Sequence, residues 1–173
     1  MKVVKPELRR ASADDGEAIL AIYSEAIRRR EISRHDRELA IAELPTIVSL
    51  GEDERYHTYV AEEDGAVRGW SAFRPWHQRA AYASTLELLV YVTQTHRGRG
   101  LATALVSQVI ASASRAGFRS ILTLSLADDA VAARLLRSTG FFTAGALGEM
   151  CPDGEEHRDV TLYQRLLGAN EAI

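Results

Sequence analysis

The chain has 173 residues, of which 46% are hydrophobic and 26% charged, and its formal net charge is -3 at pH 7. This length suits a single domain, residues 1–173, which can bury about two-thirds of its unfolded surface and needs no disulfide. The mixed, slightly acidic charge offers no basic field for nucleic acid, and no apolar run reaches the roughly 20 residues of a membrane span. We therefore expect neither nucleic acid nor a membrane as a partner.

Cys151 is the only cysteine, so an internal disulfide is excluded. Residues 1–6 lack the apolar core and cleavage pattern of a signal peptide, which together with the single cysteine predicts a cytoplasmic protein. Cys151 lies in a Cys-Pro-Asp-Gly sequence with no base beside it, so we interpret it as a turn residue and not as a nucleophile. The histidines show no spacing suited to a metal ion, and no metal site is predicted.

The first third of the chain predicts a short strand and two helices. Glu7–Arg10 has the pattern of a strand, and Ser12 with the acids after it is typical of a helix start. A second helix is predicted from Asp36 to Leu50, with a kink at Pro45. The arginines between the two helices favour a solvated face, while steering of an acidic acceptor is the alternative.

From Tyr56 onward the pattern changes to strands. Tyr56–Glu62 and Val67–Phe73 are joined by an Asp-Gly turn, which predicts a hairpin. The long apolar run Tyr82–Val92 predicts a central strand. Ser120–Leu126 follows a helix, so we expect it to lie parallel to that strand through a right-handed crossover.

The rest of the chain predicts two helices and two strands. Apolar residues recur at three- and four-residue steps from Leu101 to Gly117, which indicates a long helix. A further helix is predicted over Asp129–Ser138. Phe141–Leu147 and Asp159–Leu167 then have the pattern of two strands joined by a turn near Cys151–Glu156.

The most informative stretch is Glu87–Gly117, in which a strand, a glycine-containing turn and a helix follow one another. Glycines let the backbone approach a ligand closely, and the N–H groups of a helix start attract an anion. The order therefore favours a phosphate site, although a plain tight turn is the alternative. The stretch contains neither the Gly-Lys-Ser/Thr of a nucleotide triphosphate loop nor the early Gly-x-Gly-x-x-Gly of a dinucleotide fold.

The sequence Arg97-Gly98-Arg99-Gly100-Leu101-Ala102 resembles the Arg/Gln-x-x-Gly-x-Gly/Ala motif of the GNAT superfamily of acyl-CoA-dependent N-acetyltransferases. The order of the elements resembles the GNAT fold over nearly the whole chain. This resemblance implies an α/β fold with a central mixed, mostly antiparallel sheet of about seven strands and helices on both faces. It also implies that the central parallel strand pair is splayed at the cofactor site.

Several further stretches resemble the phosphinothricin and methionine sulfoximine acetyltransferase branch of that superfamily. They are Gly69–Trp76, Glu87–Val92, Ala116–Phe118, Gly140-Phe141, Arg158–Val160 and Gln164-Arg165. In this branch the glutamate at the position of Glu87 is the proposed general base, which an acceptor that is an ammonium ion at neutral pH requires. An ion-pairing role in the strand is the alternative for Glu87.

The resemblance also implies roles in binding. The acyl and pantetheine arm of acetyl-CoA is assigned to Val90, Tyr91, Val92 and Asp129, and its pyrophosphate to Arg97, Gly98, Arg99, Gly100, Leu101, Ala102 and Thr103. The candidate acceptor-binding residues are Arg74, Trp76, Tyr56 and His157. For Trp76 packing at a hairpin end is the alternative, and for His157 an exposed strand position.

Two positions depart from the family pattern. Asp129 stands where the superfamily usually has asparagine, and Leu136 stands where a tyrosine often protonates the leaving thiolate. Because leucine cannot donate a proton, the thiolate leaves unassisted, with solvent, or with another donor.

We therefore expect an enzyme that transfers an acetyl group from acetyl-CoA to the primary amine of a small amino-acid-like acceptor, by direct attack in a ternary complex. A protein N-terminal acetyltransferase and a non-catalytic acyl-CoA-binding sensor are the alternatives. The resemblance also makes a homodimer an expectation.

Overall fold

A computed structural model describes residues 6–31, 35–50 and 55–168. Within these ranges the chain forms seven strands and three α-helices: β1 (Glu7–Arg10), α1 (Gly16–Arg28), β2 (Thr58–Glu63), β3 (Ala66–Pro75), β4 (Thr85–Val92), α2 (Leu101–Arg115), β5 (Ser120–Leu126), α3 (Ala130–Ser138), β6 (Phe142–Asp153) and β7 (Glu156–Leu166). Short 3-10 helices occur at Ala13–Asp15, Ile41–Thr46, Ala80–Tyr82 and Gln94–His96. None of the described helices is both long and apolar enough to cross a membrane.

The seven strands form one mixed sheet in the order β1-β2-β3-β4-β5-β7-β6. Only β4 and β5 are parallel; the other neighbours are antiparallel. The parallel pair follows from the crossover through α2, since parallel neighbours need a long connection. The predicted fold class and the predicted parallel pair are confirmed.

The sheet opens between its two parallel strands. The pairing of β4 with β5 begins at Thr85 opposite Ser120 and ends at Glu87 opposite Leu122. Beyond that point β4 stays paired with β3 as far as Val92, whereas β5 stays paired with β7. The predicted splay is therefore confirmed, and it begins directly after Glu87.

Helices cover both faces of the sheet. One buried cluster joins α2 and α3 to alternate residues of β4, including Leu86, Leu88 and Val92, whereas a second joins α1 to Leu89 and Tyr91. Because side chains alternate along a strand, Glu87 projects to the α1 face with Leu89 and Tyr91.

On the opposite face, α2 packs closely over Gly69 of β3. A Cβ at this glycine would lie 2.9 Å from Val92 Cγ2, 3.0 Å from the Tyr91 carbonyl oxygen and 3.2 Å from Leu105 Cδ1. The shortest of these distances would force Val92 to shift and the other two are tight, so the absence of a side chain at position 69 permits the close packing of helix and sheet.

The predicted second helix is wrong. Between Asp36 and Leu50 the chain forms only the 3-10 helix Ile41–Thr46. Pro45 has no N–H to donate to a longer helix, yet Leu44 and Ile47 are buried in the α1 cluster. The apolar pattern thus correctly indicated that these residues are buried, but a short irregular segment can bury them as well as a helix can.

Two predicted strand boundaries also differ. The strand expected from Tyr82 begins at Thr85, because Ala80–Tyr82 forms a 3-10 turn. Cys151 lies in β6 and not in a turn, because the β6–β7 hairpin reverses beyond Asp153, at Gly154. The described arginines from the last residue of α1 onward are exposed and ion-paired, for example Arg28 with Glu38 and Arg37 with Glu43, while Arg34 lies outside the described residues.

A buried carboxylate ties the first strand to the start of α1. Both oxygens of Asp15 accept hydrogen bonds from Arg9, at 2.7 and 2.8 Å, and Arg9 also donates to Glu62 on β2. The Ser12 N–H donates to Asp15 at 2.8 Å. The hydrogen bonds from Arg9 lower the pKa of Asp15, although burial opposes this shift.

We predict that Asp15→Asn lowers the free energy of unfolding by about 1–3 kcal/mol at pH 7, because the buried arginine contact loses its charge. The folded-state pKa of Asp15 is below its ordinary value of 3.8, so its contribution is present above that value and is lost as the pH falls through the lowered pKa. Urea unfolding at pH 7 and at stepwise lower pH measures both effects. The exposed neighbour variant Asp14→Asn is the control, and equal stability of the two variants at pH 7 would contradict the prediction.

Candidate functional site

The turn between β4 and α2 is open on the side of its glycines. Gly98 and Gly100 have φ angles of 74° and 85°, which side chains rarely adopt. A Cβ at either position would meet nothing within 4 Å. The segment Arg97–Gly100, called the glycine loop below, therefore offers its main chain to a ligand without steric obstruction.

The start of α2 leaves its first N–H groups available to that ligand. Gly100 is the N-cap, and no side chain of the described residues caps this helix. The first intrahelical bond runs from the Ala104 N–H to the Gly100 carbonyl, so Leu101, Ala102 and Thr103 lie in the turn whose N–H groups have no intrahelical acceptor. These groups and the helix dipole attract an anion.

The two arginines of the glycine loop have different surroundings. Arg97 forms an ion pair with Glu31, at 2.7 Å, and its Nε donates to the Val92 carbonyl at 3.2 Å. Arg99 is 55% exposed, and its nearest carboxylate oxygen is on Glu63 at 3.6 Å. Arg99 is thus the more exposed of the two cations, since the side chain of Arg97 is 38% exposed.

The main chain of β4 faces the splayed gap at alternate residues. The Thr85 carbonyl and the Thr93 N–H bond toward β3, so the even-numbered residues between them point toward β5. Accordingly, the Leu88 carbonyl accepts from Thr123 Oγ1 of β5 at 3.0 Å, and the Val92 carbonyl accepts from Arg97. Val90 lies between these two and faces the gap, where the described residues provide no paired strand.

Glu87 lies where the gap begins and is 7% exposed. It is paired across the sheet with Arg74 of β3, whose Nε donates to Glu87 Oε2 at 2.9 Å. Arg74 also donates from Nη1 to the Thr46 carbonyl at 3.0 Å. The structure thus contains the ion pair that was the alternative interpretation of Glu87, and its role as a base stays a prediction.

Beside this ion pair lies a cavity of about 890 Å³, a volume in the range of small-molecule sites. It is formed by the start of α1, the segment Ile41–Leu50 and the end of β3. Three of the predicted acceptor-binding residues line it together, namely Tyr56, Arg74 and Trp76. Arg74 contacts both Glu87 and the cavity, whereas Glu87 is not among the described residues that line it.

Two other predicted residues lie elsewhere. His157 is exposed on β7, opposite Pro152, and does not line the cavity. Asp129 caps α3, since its Oδ1 accepts from the N–H groups of Val131 and Ala132 at 3.0 and 2.9 Å. A contact of Asp129 with the coenzyme arm stays a prediction. Leu136 is buried in the α2 cluster.

The sequence interpretation missed three contributors to this region. They are Thr123, which bridges the gap, Glu31, which holds Arg97, and the carbonyl of Thr46, which holds Arg74. Thr123 is one of three buried hydroxyl residues on β5, with Ser120 and Ser125, so the sequence of the strand did not distinguish it. The other two depend on long-range packing and have no local signature.

Comparisons with known proteins agree with this geometry. The model of the acetyltransferase (GNAT) family matches residues 18–141. An L-methionine sulfoximine/L-methionine sulfone acetyltransferase of Salmonella typhimurium is 27% identical over 165 residues, which are 95% of this chain and 96% of that protein. A phosphinothricin N-acetyltransferase of Streptomyces viridochromogenes is 29% identical over 92% of this chain and 86% of that protein.

A solved structure gives the same result. The crystal structure of a GNAT superfamily phosphinothricin acetyltransferase from Sinorhizobium meliloti in complex with acetyl-CoA superposes with a TM-score of 0.90. The identity is 26%, and the match covers 98% of this chain and 92% of that one. The similarity therefore includes both ends of β4, where the cavity and the glycine loop lie.

We predict that Thr123→Val lowers the free energy of unfolding by about 1–2 kcal/mol, since it removes the donor to the Leu88 carbonyl while keeping the side-chain shape. Thr123→Ser keeps a hydroxyl and should retain most of the stability. Urea unfolding of the wild-type protein and of both variants measures the loss. Equal stability of the valine and serine variants would show that the bridge contributes nothing.

Proposed function

Because the chain belongs to the acetyltransferase (GNAT) family, we propose that it transfers the acetyl group of acetyl-CoA to the primary amine of a small amino-acid-like molecule. The transfer occurs by direct attack in a ternary complex. The observation that carries the proposal is the arrangement along β4, with an open anion-binding turn at one end and a cavity with an acid–arginine pair at the other.

The residues present fit the coenzyme. A diphosphate suits the main chain of Gly98–Thr103, where two glycines leave open space and the N–H groups of α2 are uncapped. An extended arm with amide groups suits the open edge of β4, because an added chain can pair with a strand that has lost its neighbour. When bound there, acetyl-CoA supplies the acetyl group as an activated thioester.

Val90 is the main-chain donor best placed to act on the acyl group. Its N–H faces the gap, whereas those of Leu89 and Tyr91 face β3. A fixed amide donor aimed at a carbonyl oxygen that gains negative charge typically lowers a barrier by about 3–4 kcal/mol. The side chains of Val90 and Val92 belong to the apolar cluster under α2, and they keep the strand in place.

Glu87 serves as the general base. An acceptor amine is an ammonium ion at neutral pH and must lose a proton before it attacks. This first proton passes to Glu87 and frees the nitrogen lone pair. The N–C bond then forms, the C–S bond breaks to release the thiolate, and the second proton of the amine passes to solvent to leave the neutral amide. Because Glu87 does not line the cavity while its partner Arg74 does, we place a water molecule on the proton path, as direct transfer would require the carboxylate to turn.

The acceptor occupies the cavity beside Arg74. A guanidinium that lines a cavity suits the carboxylate of an amino acid, and the aromatic rings of Tyr56 and Trp76 suit its side chain. The relatives named above act on methionine sulfoximine, methionine sulfone and phosphinothricin. An acceptor of this class agrees with the size and lining of the cavity.

The thiolate leaves without help from the third helix. Leu136, at the position where the family often has a tyrosine, is 4% exposed and packed in the core. Departure without a protein donor is feasible because the pKa of a thiol, about 8.5, is not far above neutral pH. A cytoplasmic location, expected from the single cysteine, and a homodimer, expected from the resemblance, complete the proposal.

The proposal is tested by measuring thiol release from acetyl-CoA in the presence of a panel of amines. We expect methionine sulfoximine, methionine sulfone and phosphinothricin to be turned over faster than short peptides with a free N-terminus. Preference for the peptides would favour a protein N-terminal acetyltransferase. Calorimetric binding of CoA without turnover of any amine would indicate a sensor.

We predict that Glu87→Gln lowers kcat/KM for the best amine by about 100-fold or more, because the variant cannot accept the proton. CoA binding, measured by calorimetry, should stay unchanged, since the substitution does not touch the glycine loop. Glu156→Gln, at an exposed residue at the start of β7, is the matched control. Full activity of the Glu87 variant across the pH range would refute its role as base.

A further inference from the structure

Arg97 is held by contacts inside the protein. Its Nη1 and Nη2 bind the two carboxylate oxygens of Glu31, at 2.7 and 3.0 Å, and its Nε donates to the Val92 carbonyl at 3.2 Å. A bidentate pair of this kind fixes the plane of the guanidinium as well as its position. Arg97 thereby ties the end of β4 to the segment that follows α1.

Glu31 is itself held in a defined place. The Glu31 N–H bonds the Ala26 carbonyl and the Arg30 N–H bonds the Ile27 carbonyl, at 3.1 and 2.9 Å, which is the pattern of a Schellman motif. Arg30 occupies the left-handed position of that motif, with φ 54°, where glycine is usual. A non-glycine residue is strained there, and the side chain of Arg30 forms an ion pair with Asp153 at 2.7 Å.

Further contacts join the end of α1 to the same turn. The Gln94 N–H donates to Glu25 at 3.0 Å, and Arg29 bonds both Glu31 and the Gln94 side chain. Two residues of the β4–α2 connection, Gln94 and Arg97, are thus fixed by the last turn of α1 and the residues after it. The end of α1 and the β4–α2 connection thus form one structural unit, which extends beyond the Arg97–Ala102 motif.

The charge of Arg97 is largely compensated within this unit. The hydrogen bond to Glu31 raises the pKa of Arg97, and the charges of Glu25 and Asp129 act in the same direction. The Arg99 side chain, by contrast, is 55% exposed, against 38% for Arg97, and within the described residues its carboxylate contact is with Glu63 at 3.6 Å. A bound diphosphate would therefore meet one compensated cation and one that is more exposed.

We propose that Glu31 is a positioning residue for the glycine loop: it holds Arg97 as an internal clamp, so that the coenzyme diphosphate is bound by main-chain N–H groups and by Arg99. This inference rests on the proposed function, because it concerns how acetyl-CoA is held. It assigns different roles to two arginines that the motif places side by side. Neither Glu31 nor the clamp touches the reacting atoms.

The test is a double-mutant cycle of Glu31→Gln and Arg97→Gln, with CoA binding measured by calorimetry. If Arg97 acts through Glu31, each single variant weakens CoA binding about 3- to 10-fold, and the double variant is no worse than the singles, because the two residues act as one unit. Steady-state kinetics should show a raised KM for acetyl-CoA with kcat unchanged. Independent, additive losses would mean that Arg97 binds the diphosphate directly and would overturn the proposal.

Two controls complete the design. Arg99→Gln should weaken CoA binding in every background of the cycle, as expected for a direct ligand. Glu38→Gln removes an exposed ion pair with Arg28 in the same connection and should change nothing. Thermal unfolding of each variant confirms that it is folded.

Amide hydrogen exchange in the protein without coenzyme separates this inference from the proposed function. The hydrogen-bonded amides next to the glycine loop are the reporters, namely Arg97, which bonds the Gln94 carbonyl, and Ala104, which bonds the Gly100 carbonyl. Loss of the clamp should raise their exchange rates in Glu31→Gln by about 10-fold, as local opening becomes easier. Unchanged exchange rates would overturn the clamp whatever CoA does. Failure of the wild-type protein to bind CoA would overturn the proposed function, while the exchange experiment would still decide whether Glu31 orders the loop.

Discussion

The separation of β4 from β5 is the constraint on which the rest of the structure depends. Two parallel strands in the middle of a sheet normally satisfy each other's main-chain groups, and leaving such groups unpaired in a partly buried place is costly. Here the pairing of β4 with β5 stops after Glu87. The main-chain groups of Leu88, Val90 and Val92 that face the gap must therefore find other partners. Side chains provide two of them, from Thr123 to the Leu88 carbonyl and from Arg97 to the Val92 carbonyl. The position that remains between them, Val90, is the one assigned to the acyl group.

Each end of β4 is held by an arginine that binds a carboxylate. At its start, Arg74 holds Glu87 and reaches the carbonyl of Thr46, so that the segment under the cavity is attached to the sheet. At its end, Arg97 holds the strand to Glu31 and so to α1. Both arginines bind a carboxylate and a main-chain carbonyl at once, a use for which the planar, many-donor guanidinium is suited. The strand is thereby fixed at both ends while its middle edge stays open.

Much of the fold could be predicted from the sequence because its signals were local. The periodicity of Leu101–Arg115 and the Asp-Gly turn before β3 correctly indicated a helix and a hairpin. The second helix was wrong because the apolar residues of the Asp36–Leu50 segment report burial, which a proline-containing 3-10 turn also satisfies.

For the candidate site, the same division between local and long-range signals applies. The glycine loop was recognisable as a motif, and Tyr56, Arg74 and Trp76 could be grouped by resemblance before the cavity was seen. Glu31 and Thr123 could not be found in this way, since their partners are 66 and 35 residues distant in the chain. The role of Thr123 depends on the separation of β4 from β5, and that of Glu31 depends on where α1 ends. Neither feature can be predicted from the residues next to them in the sequence.

Gly69 has a consequence for how this protein can change over generations. A Cβ at this position would lie 2.9 Å from Val92 Cγ2 and within 3.2 Å of the Tyr91 carbonyl oxygen and Leu105 Cδ1, so these neighbours would have to shift. A displacement of α2 at this point would change the distance between the start of that helix and the end of β4, which are the two parts of the proposed coenzyme site. Substitutions selected for a new acyl donor or a new amine can therefore occur around the rim of the cavity, whereas few can be tolerated at Gly69.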